Sequence, residues 1–232
     1  MKRSHEMEMM DVPGQPRELL EDDLRNLRII NRRLGNYRNV VRGLNRLVGA
    51  QNIDRFSLLD VGTGSGDVPA VIARWARRNA VAARISALEP EPVTVAQAAV
   101  QTRNFPEVAV VRGDAMAPPF HAASFDFVLA SQLLHHFSEE QIIRLLRIWS
   151  PLARRAIIVS DLVRHPLAYY GIRLLTKCFT RNAMTRTDAP LSVARAFTLA
   201  EWRTLLREAD IGPFQIFSAF PFRVMALILA KS

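Results

Sequence analysis

The stretch "SLLDVGTGSGDVP", residues 57–69, places three glycines at alternate positions between an apolar run and a second apolar, helix-like run. Gly62, Gly64 and Gly66 let the backbone turn sharply and let a ligand approach without meeting a Cβ. A strand that runs into glycines and then into a helix is the usual ligand site of an open α/β sheet. The spacing is neither the G-x-G-x-x-G of a dinucleotide fold nor a phosphate loop ending in Gly-Lys-Ser/Thr.

Acidic residues around this loop restrict the ligand further. Asp60 and Asp67 flank the glycines, where they would repel a pyrophosphate and attract a cationic ligand with an amino group. Glu89 in "ALEPEP" ends the second strand, where an acid hydrogen-bonds the two hydroxyls of a ribose. Asp114 in "VVRGDAMAP" ends the third strand and can accept a hydrogen bond from the exocyclic amine of an adenine. Adenine, ribose and a cationic amino-acid end together describe S-adenosylmethionine.

Strand and helix patterns alternate after the glycine loop, which predicts an α/β fold with helices on both faces of a parallel sheet. We expect a Rossmann-like, doubly wound, seven-stranded, mostly parallel sheet whose last two strands form an antiparallel hairpin about Pro221. Thr198 and Glu201 predict a capping box at the start of the last helix. The expected domains are a disordered N-terminus over 1–17, an N-terminal helical cap over 18–50, and an S-adenosylmethionine-binding domain over 51–232 with 164–196 as an inserted substrate lid.

The N-terminal cap is predicted from apolar residues that recur every three or four positions from Leu20 to Val48. Gly35 or Gly43 is expected to divide it into two helices. The opposite face is rich in arginine, which favours either a solvated surface or a partial cover over a ligand site.

Composition limits the function classes. The chain has 232 residues, a net charge of +9 and one cysteine, Cys178. No apolar run is long enough for a membrane span, and the first residues do not resemble a signal peptide, so we expect a cytoplasmic protein. The arginines are spread along the chain without an aromatic-interleaved basic strip, so nucleic acid is not the predicted partner.

The chain resembles the class I S-adenosylmethionine-dependent methyltransferases over roughly residues 55–232. "LLDVGTGSGD", "ALEPEP", "RGDAMAPPF" and "FDFVLASQLLHHF" carry the resemblance. Pro90 departs from the small apolar residue that is commoner in the family, with little expected effect. The resemblance implies S-adenosylmethionine as cofactor, bound by Asp60, Gly62, Thr63, Gly64, Gly66, Glu89, Pro90, Asp114, Ala115 and Ser131.

Two further segments, "DLRNLRIINRRLGNYRNV" and "RTDAPLSVARAFTLAEW", are similar to small-molecule methyltransferases encoded beside type III polyketide synthases in bacteria. This resemblance implies an enzyme of secondary metabolism with a polyketide-derived acceptor.

Histidines supply the candidate general base, because imidazole exchanges protons near neutral pH. His136, His135 and His165 follow the fourth and fifth strands, at the sheet edge where the site must lie, and His136 is ranked first. The alternative is structural: the "LLHHF" segment can simply open a helix, and His165 can be a loop residue beside a proline. The adjacent histidines also suggest a metal, but no acid pair at matching spacing supports one, so no metal is predicted.

The inserted segment carries the candidate acceptor contacts. Tyr169 and Tyr170 suggest an apolar lid, with core packing as the alternative, and Arg173 lies at helical spacing from both to meet an anionic group. We therefore predict methyl transfer to the oxygen of a small, hydrophobic, phenolic or polyketide-derived acceptor. The alternatives are carbon methylation as in quinone biosynthesis, an RNA or protein methyltransferase using the basic surface, and a non-catalytic cofactor-binding protein; a homodimer is left open.

Overall fold

The computed structural model describes residues 1–49 and 52–231, so residues 50, 51 and 232 of the predicted cap and domain lie outside the described residues. The strands are β1 (Arg55–Val61), β2 (Ala82–Glu89), β3 (Val108–Arg112), β4 (Phe125–Ser131), β5 (Ala153–Leu162), β6 (Phe214–Ala219) and β7 (Arg223–Leu229). The helices are α1 (Arg17–Arg33), α2 (Asn36–Leu44), α3 (Asp67–Arg78), α4 (Pro92–Thr102), α5 (Glu139–Trp149), α6 (Pro166–Phe179), α7 (Ala183–Arg195) and α8 (Leu199–Ala209).

All seven strands belong to one sheet in the order β3-β2-β1-β4-β5-β7-β6. The pairings from β3 to β5 are parallel, whereas β7 runs antiparallel to both β5 and β6. The predicted fold class, including the C-terminal hairpin, is confirmed. The order reverses at β1 and β4, and in such sheets the ligand crevice lies at the carboxyl ends of those strands.

The core forms two layers because the sheet is covered on both faces. Leu59 of β1 packs in the layer that includes α5 and α8, whereas its neighbour Leu58 packs in the layer that includes α2 and α3. This alternation follows the period of two in a β-strand. The apolar run before the glycines is therefore a central strand buried on both faces, and it holds the loop at the sheet edge.

Several predicted helix boundaries are confirmed. Gly35, with φ of 81°, is the N-cap residue of α2 and separates it from α1. The chain then continues through a π-helical turn over Asn45–Gly49. Thr198 and Glu201 form the predicted capping box of α8, and Ser138 with Gln141 forms another at α5.

The inserted segment folds as two helices, α6 and α7. His165 accepts a hydrogen bond from the backbone N–H of Leu167 as N-cap of α6, and Asn182 accepts one from Thr185 as N-cap of α7. Both helices pack with α1 in a small apolar cluster that includes Ile30 and Ile172. Helices α1, α6 and α7 therefore form one helical layer at the carboxyl edge of the sheet, whereas α2 packs on a face of the sheet.

Residues 1–16, the N-terminal strap, differ from the disorder expected of residues 1–17. The backbone N–H groups of Met9 and Met10 donate to the Asp188 carboxylate of α7 at 2.9 and 3.0 Å. The Arg3 guanidinium donates to the carbonyl of Phe137 at 2.7 Å. These partners lie more than 130 positions away in the chain, and a strap held by such contacts needs no apolar periodicity of its own. No helix within the described ranges is long and apolar enough to cross a membrane.

Candidate active site

The glycine loop turns between β1 and α3 with all three glycines at positive φ, at 65°, 55° and 75°. A Cβ at Gly66 would meet the backbone of Ala98 in α4 at 3.1 Å, so only glycine lets α4 approach this closely. A Cβ at Gly64 would meet nothing within 4 Å and would project into open space. Gly66 therefore serves packing, whereas Gly64 leaves room for a ligand.

Asp60 lies buried beneath the loop at the end of β1. Its Oδ2 accepts a hydrogen bond from the Thr63 hydroxyl at 2.6 Å, and its Oδ1 is buried without a partner among the described residues. Burial raises the pKa of Asp60 to about 7; the Thr63 bond opposes this shift, and the charges of Asp67 and Glu89 add to it. The loop therefore contains a carboxylate oxygen still able to accept a hydrogen bond.

Glu89 ends β2 beside the loop. Its Oε2 accepts from the backbone N–H of Gly64 at 3.0 Å and its Oε1 accepts from that of Glu91 at 3.3 Å. Burial raises the pKa of Glu89, while these two backbone hydrogen bonds oppose the rise. The loop and the second strand end are thus tied together through one carboxylate.

Asp67, the first residue of α3, is held by two hydroxyl groups. Tyr37 of α2 donates to its Oδ2 at 2.8 Å, and Ser65 donates to its Oδ1 at 3.1 Å. Tyr37 was not singled out from the sequence, where it reads only as an apolar position of the cap. This contact attaches the N-terminal cap directly to the glycine loop.

A cavity of about 1020 Å³ extends from the glycine loop to the helical layer. One side is polar and is formed by the loop and the end of β2. The other side is a mainly apolar wall with residues from α1, α6 and α7, such as Leu27, Ile30 and Ile172. The strap contributes Glu8 and the segment from Met10 to Gln15 to the same lining.

The structure brings eight of the predicted site residues to this cavity: Gly62, Thr63, Gly64, Glu89, Pro90, Ser131, His135 and His136. Seven others do not line it: Asp60, Gly66, Asp114, Ala115, His165, Tyr169 and Arg173. Asp60 and Gly66 lie directly beneath the loop, whereas Asp114 is exposed and its Oδ1 accepts from the backbone N–H of Met116 at 2.8 Å.

His135 is buried and its ring is held by Asp161 at the end of β5. The distance from His135 Nδ1 to Asp161 Oδ1 is 2.7 Å, and the His135 backbone N–H donates to Oδ2 at 3.2 Å. Burial alone would raise the pKa of Asp161, but the charge and hydrogen bond of His135 outweigh it and lower the pKa. An ionised Asp161 accepts the Nδ1 proton, so we assign His135 the tautomer whose Nε2 is free to accept one.

His136 makes a different contact at the cavity. Its Nδ1 lies 2.9 Å from Asp11 Oδ2 in the strap, and its ring lies 4.4 Å from that of His135. His136 is therefore engaged by a segment that the sequence analysis treated as disordered. Of the two histidines, His135 has the more rigid support.

Glu8 of the strap is buried between the two histidines. Its Oε2 accepts from Ser192 at 2.9 Å, while its Oε1 lies 3.9 Å from His135 Nε2 and 3.9 Å from His136 Nδ1. Burial raises the pKa of Glu8 to about 7, against the charge of His136 and the Ser192 bond. Glu8 therefore exchanges protons in the same pH range as a histidine.

Arg195 of α7 joins the strap to the histidine segment. Its guanidinium donates to the backbone carbonyls of His135 and His136 and lies 3.8 Å from Glu8 Oε1. The sequence analysis missed Glu8, Asp161 and Arg195. The signal for Asp161 was an acid at the carboxyl end of an apolar strand, the same signal that identified Asp60.

The ligand atoms of Glu8, His135 and His136 lie within 4.8 Å of one another, close enough for a shared metal ion. The sequence analysis lacked an acid for such a site, and the strap supplies one. The positive charge of Arg195 beside Glu8 opposes a cation there, and Asp11 already engages His136 Nδ1. We interpret the cluster as a network of proton-exchanging groups.

The remaining predicted catalytic and acceptor residues, His165, Tyr169 and Arg173, lie outside the cavity lining. His165 caps α6 and stacks on Phe222, with ring centroids 4.8 Å apart. Tyr169 packs against the apolar cluster of α1, α6 and α7, and its ring meets that of Tyr170 edge-on. Arg173 is exposed on α6.

These features fit S-adenosylmethionine. Gly64 leaves space for the ligand, Glu89 presents a carboxylate to the cavity, and Asp60 keeps an unpartnered oxygen beneath the loop. Residues 58–155 match the model of a methyltransferase domain family. No curated protein matches the chain by sequence.

Solved structures share the fold at low sequence identity. Human N-acetylserotonin methyltransferase in complex with SAM is 17% identical with a TM-score of 0.65, covering 100% of this chain and 63% of its own. Magnesium protoporphyrin IX methyltransferase from Synechocystis PCC 6803 with bound SAH is 17% identical with a TM-score of 0.59, covering 86% and 84%. A SAM-dependent methyltransferase from Aquifex aeolicus is 14% identical with a TM-score of 0.57, covering 76% and 82%.

Residues 58–155 therefore form a methyltransferase domain, and the sheet has the fold of the class I S-adenosylmethionine-dependent methyltransferases. The methyltransferase-domain match makes the chain an enzyme, and the cavity at the glycine loop fits S-adenosylmethionine as its cofactor.

Proposed function

We propose that the chain methylates the oxygen of a small, hydrophobic, phenolic acceptor in the cytoplasm. One observation carries the proposal: His135, whose Nδ1 lies 2.7 Å from Asp161 Oδ1, lines the same cavity as the glycine loop and the apolar wall. An acceptor with an apolar body fits that wall, and its hydroxyl group then needs a base at the polar end. A polyketide-derived phenol of secondary metabolism has this chemistry.

The cofactor side is proposed to act through Gly62, Gly64, Glu89 and Asp60. When bound, S-adenosylmethionine supplies a methyl group on a sulfonium. Gly64 leaves the backbone open, and Glu89 would accept hydrogen bonds from ribose hydroxyls. Asp60 does not line the cavity and holds the loop from beneath through Thr63. Thr63, Pro90 and Ser131 also line this side of the cavity. Asp114 and Ala115, which the sequence analysis assigned to the cofactor, lie outside the cavity lining.

His135 is proposed as the general base. Asp161 holds its Nδ1–H, so Nε2 would take the proton of the acceptor hydroxyl, and the bound cofactor would supply the methyl group to that oxygen. Glu8, 3.9 Å from Nε2, stabilises the imidazolium that results. The sequence ranked His136 first, but its contact with Asp11 suits holding the strap better than accepting a proton.

The helical layer is proposed to position the acceptor. Segment 164–196 acts as a lid together with the strap, because both contribute to the lining of the cavity beside α1. Its acceptor contacts are Leu167 and Ile172, in place of Tyr169 and Arg173, which do not line the cavity.

The test is methyl transfer from labelled S-adenosylmethionine to alkylresorcinols, simple phenols, quinol precursors and bulk RNA, with and without EDTA. We expect label on phenolic oxygen, more rapidly with an alkylated phenol, and no effect of EDTA. Label on a ring carbon would make the enzyme a C-methyltransferase, since a phenolate also activates the ring. Label only on RNA, or no label on any phenol, would overturn the proposal.

A further inference from the structure

Helix α6 exposes a continuous apolar face. Leu167, Tyr170 and Leu174 are 69%, 64% and 65% exposed, and Leu175 and Phe179 are also exposed. Leu167, Tyr170 and Leu174 lie on one side of the helix, opposite the buried Ile172 and Thr176, and Leu175 and Phe179 lie between the two sides. Single exposed apolar side chains need no explanation, but a contiguous set marks an interaction surface.

The tip of the β6–β7 hairpin extends this face. Phe220 is 87% exposed, and Phe222 stacks on His165, the residue that begins α6. The tip therefore adjoins the N-terminus of the helix. We call α6 and residues 220–222 together the apolar rim.

The apolar rim borders the cavity. Leu167, Gly171 and Leu175, one turn apart on α6, line the cavity, and so do Pro221 and Phe222 of the tip. The surface that is exposed to solvent is thus continuous with the apolar wall inside.

The positive charge of residues 162–187 indicates what kind of partner binds the apolar rim. Residues 162–187 contain no Asp or Glu, and their exposed cations are Arg173, Lys177, Arg181 and Arg186, while the side chain of Arg164 is buried and paired with Glu201. A second copy would bring the same cations together across a two-fold axis, which like-charge repulsion disfavours. An anionic surface with an apolar interior is complementary to both features.

We propose that the apolar rim docks on the surface of an anionic lipid bilayer. Leu174, Tyr170 and Phe220 insert among the acyl chains, and Arg173 and Lys177 pair with lipid phosphates. The docked cavity end then receives an acceptor dissolved in the bilayer. Only this last step rests on the proposed function, because docking itself needs no acceptor.

The experiment measures cosedimentation of the full chain with vesicles of phosphatidylglycerol and phosphatidylcholine in equal parts. The test variant carries Leu174→Ser and Phe220→Ser, two exposed residues that do not line the cavity. The matched control is Val100→Ser, an equally exposed apolar residue on α4. Cofactor affinity of each variant verifies that it is folded.

We expect the native chain and the Val100→Ser variant to bind these vesicles, and the double variant to lose about tenfold or more in affinity. Binding should weaken severalfold in 0.5 M salt or on phosphatidylcholine alone, because screening removes the attraction of the cations. Equal binding by both variants, or no binding by the native chain, would overturn docking. A native dimer that the double variant dissociates, without vesicle binding, would also overturn it.

The two proposals fail separately. Vesicle binding is measured without acceptor or turnover, so methylation of a phenol by a chain that ignores vesicles would overturn docking alone. Vesicle binding by a chain that methylates no phenol would overturn the proposed function alone.

Discussion

The glycine loop and the N-terminal strap border the same cavity, but they are held in different ways. The loop depends on near neighbours: Thr63 donates to Asp60 three positions away, and Gly64 donates to Glu89 twenty-five positions away. The strap depends on Asp188 and Arg195, which lie about 180 positions further along the chain. The cofactor side is therefore built into the sheet, whereas the acceptor side is closed by a segment that has little structure of its own.

This difference implies that the two sides respond separately to mutation and to pH. A detached strap would leave the loop, β1 and β2 unchanged but would remove Glu8 from the histidines. Segments held by few contacts open at low free-energy cost, as lids over active sites must.

The largest expected effects are on two glycines of the loop, Gly66 and Gly64, whose substitutions should change stability and cofactor binding differently. Gly66→Val should lower the free energy of unfolding by about 3–5 kcal/mol, because it forces a β-branched residue into positive φ and against α4. Gly64→Ala should cost only about 1–2 kcal/mol, from positive φ alone, yet it should abolish cofactor binding by filling the cradle. Urea unfolding and cofactor titration measure the two quantities. Normal cofactor affinity in Gly64→Ala would contradict the placement of the ligand.

The next effect concerns docking of the strap and its pH dependence. Because burial raises the pKa of Glu8 to about 7, the docked strap favours the protonated carboxyl more than the detached strap does. Docking is therefore strongest below the ordinary pKa of a glutamic acid and weakens as the pH rises toward 7. Above pH 7 the docking free energy has decreased by about 3 kcal/mol, at ~1.4 kcal/mol per pKa unit.

Hydrogen exchange at Ser4, Met9 and Met10, corrected for intrinsic rates, measures this docking. We expect exchange to increase from pH 5 to pH 8 in the native chain. Glu8 is surrounded by other titratable or charged groups, namely His135, His136, Arg195, Asp11 and Asp188. The control therefore changes Glu8 alone and leaves these groups in place. Glu8→Gln should remove most of the pH dependence, and an unchanged profile would contradict the role of burial.

The smallest effect tests the apolar wall. Leu27→Ala should raise the KM for an alkylated phenol about fivefold, because less apolar surface is buried on binding, and should leave a simple phenol unaffected. Ile29→Ala, on the same helix but outside the cavity lining, is the matched control. An equal change for both phenols would show that the alkyl group lies elsewhere.

The mostly parallel, seven-stranded sheet and the position of the glycine loop were predictable from the sequence because their signals are local. An apolar run, three glycines and an acid at the next strand end lie within about thirty residues and need no distant partner. The strap was not predictable in this way. Glu8 and Asp11 read as charged residues in a segment without apolar periodicity, and only their distant contacts with Ser192 and His136 give them fixed positions.

The histidines show an intermediate case. Their place after β4 was predictable, but the choice between them depends on Asp161, which the parallel pairing of β4 with β5 brings to His135. The sequence analysis assigned Tyr169 and Arg173 to the acceptor from helical spacing, which does not tell which face of α6 lines the cavity.

The most direct test of the two-sided cavity compares Glu89→Gln with His135→Asn in cofactor affinity and in turnover. We predict that Glu89→Gln weakens cofactor affinity by about 1–3 kcal/mol, since it breaks a buried charged contact. His135→Asn should leave that affinity within about twofold but lower turnover at saturating cofactor by about 10²–10⁴-fold. If His135→Asn instead weakens cofactor affinity as much as Glu89→Gln and leaves turnover intact, the cavity is not divided as described and the base is not His135.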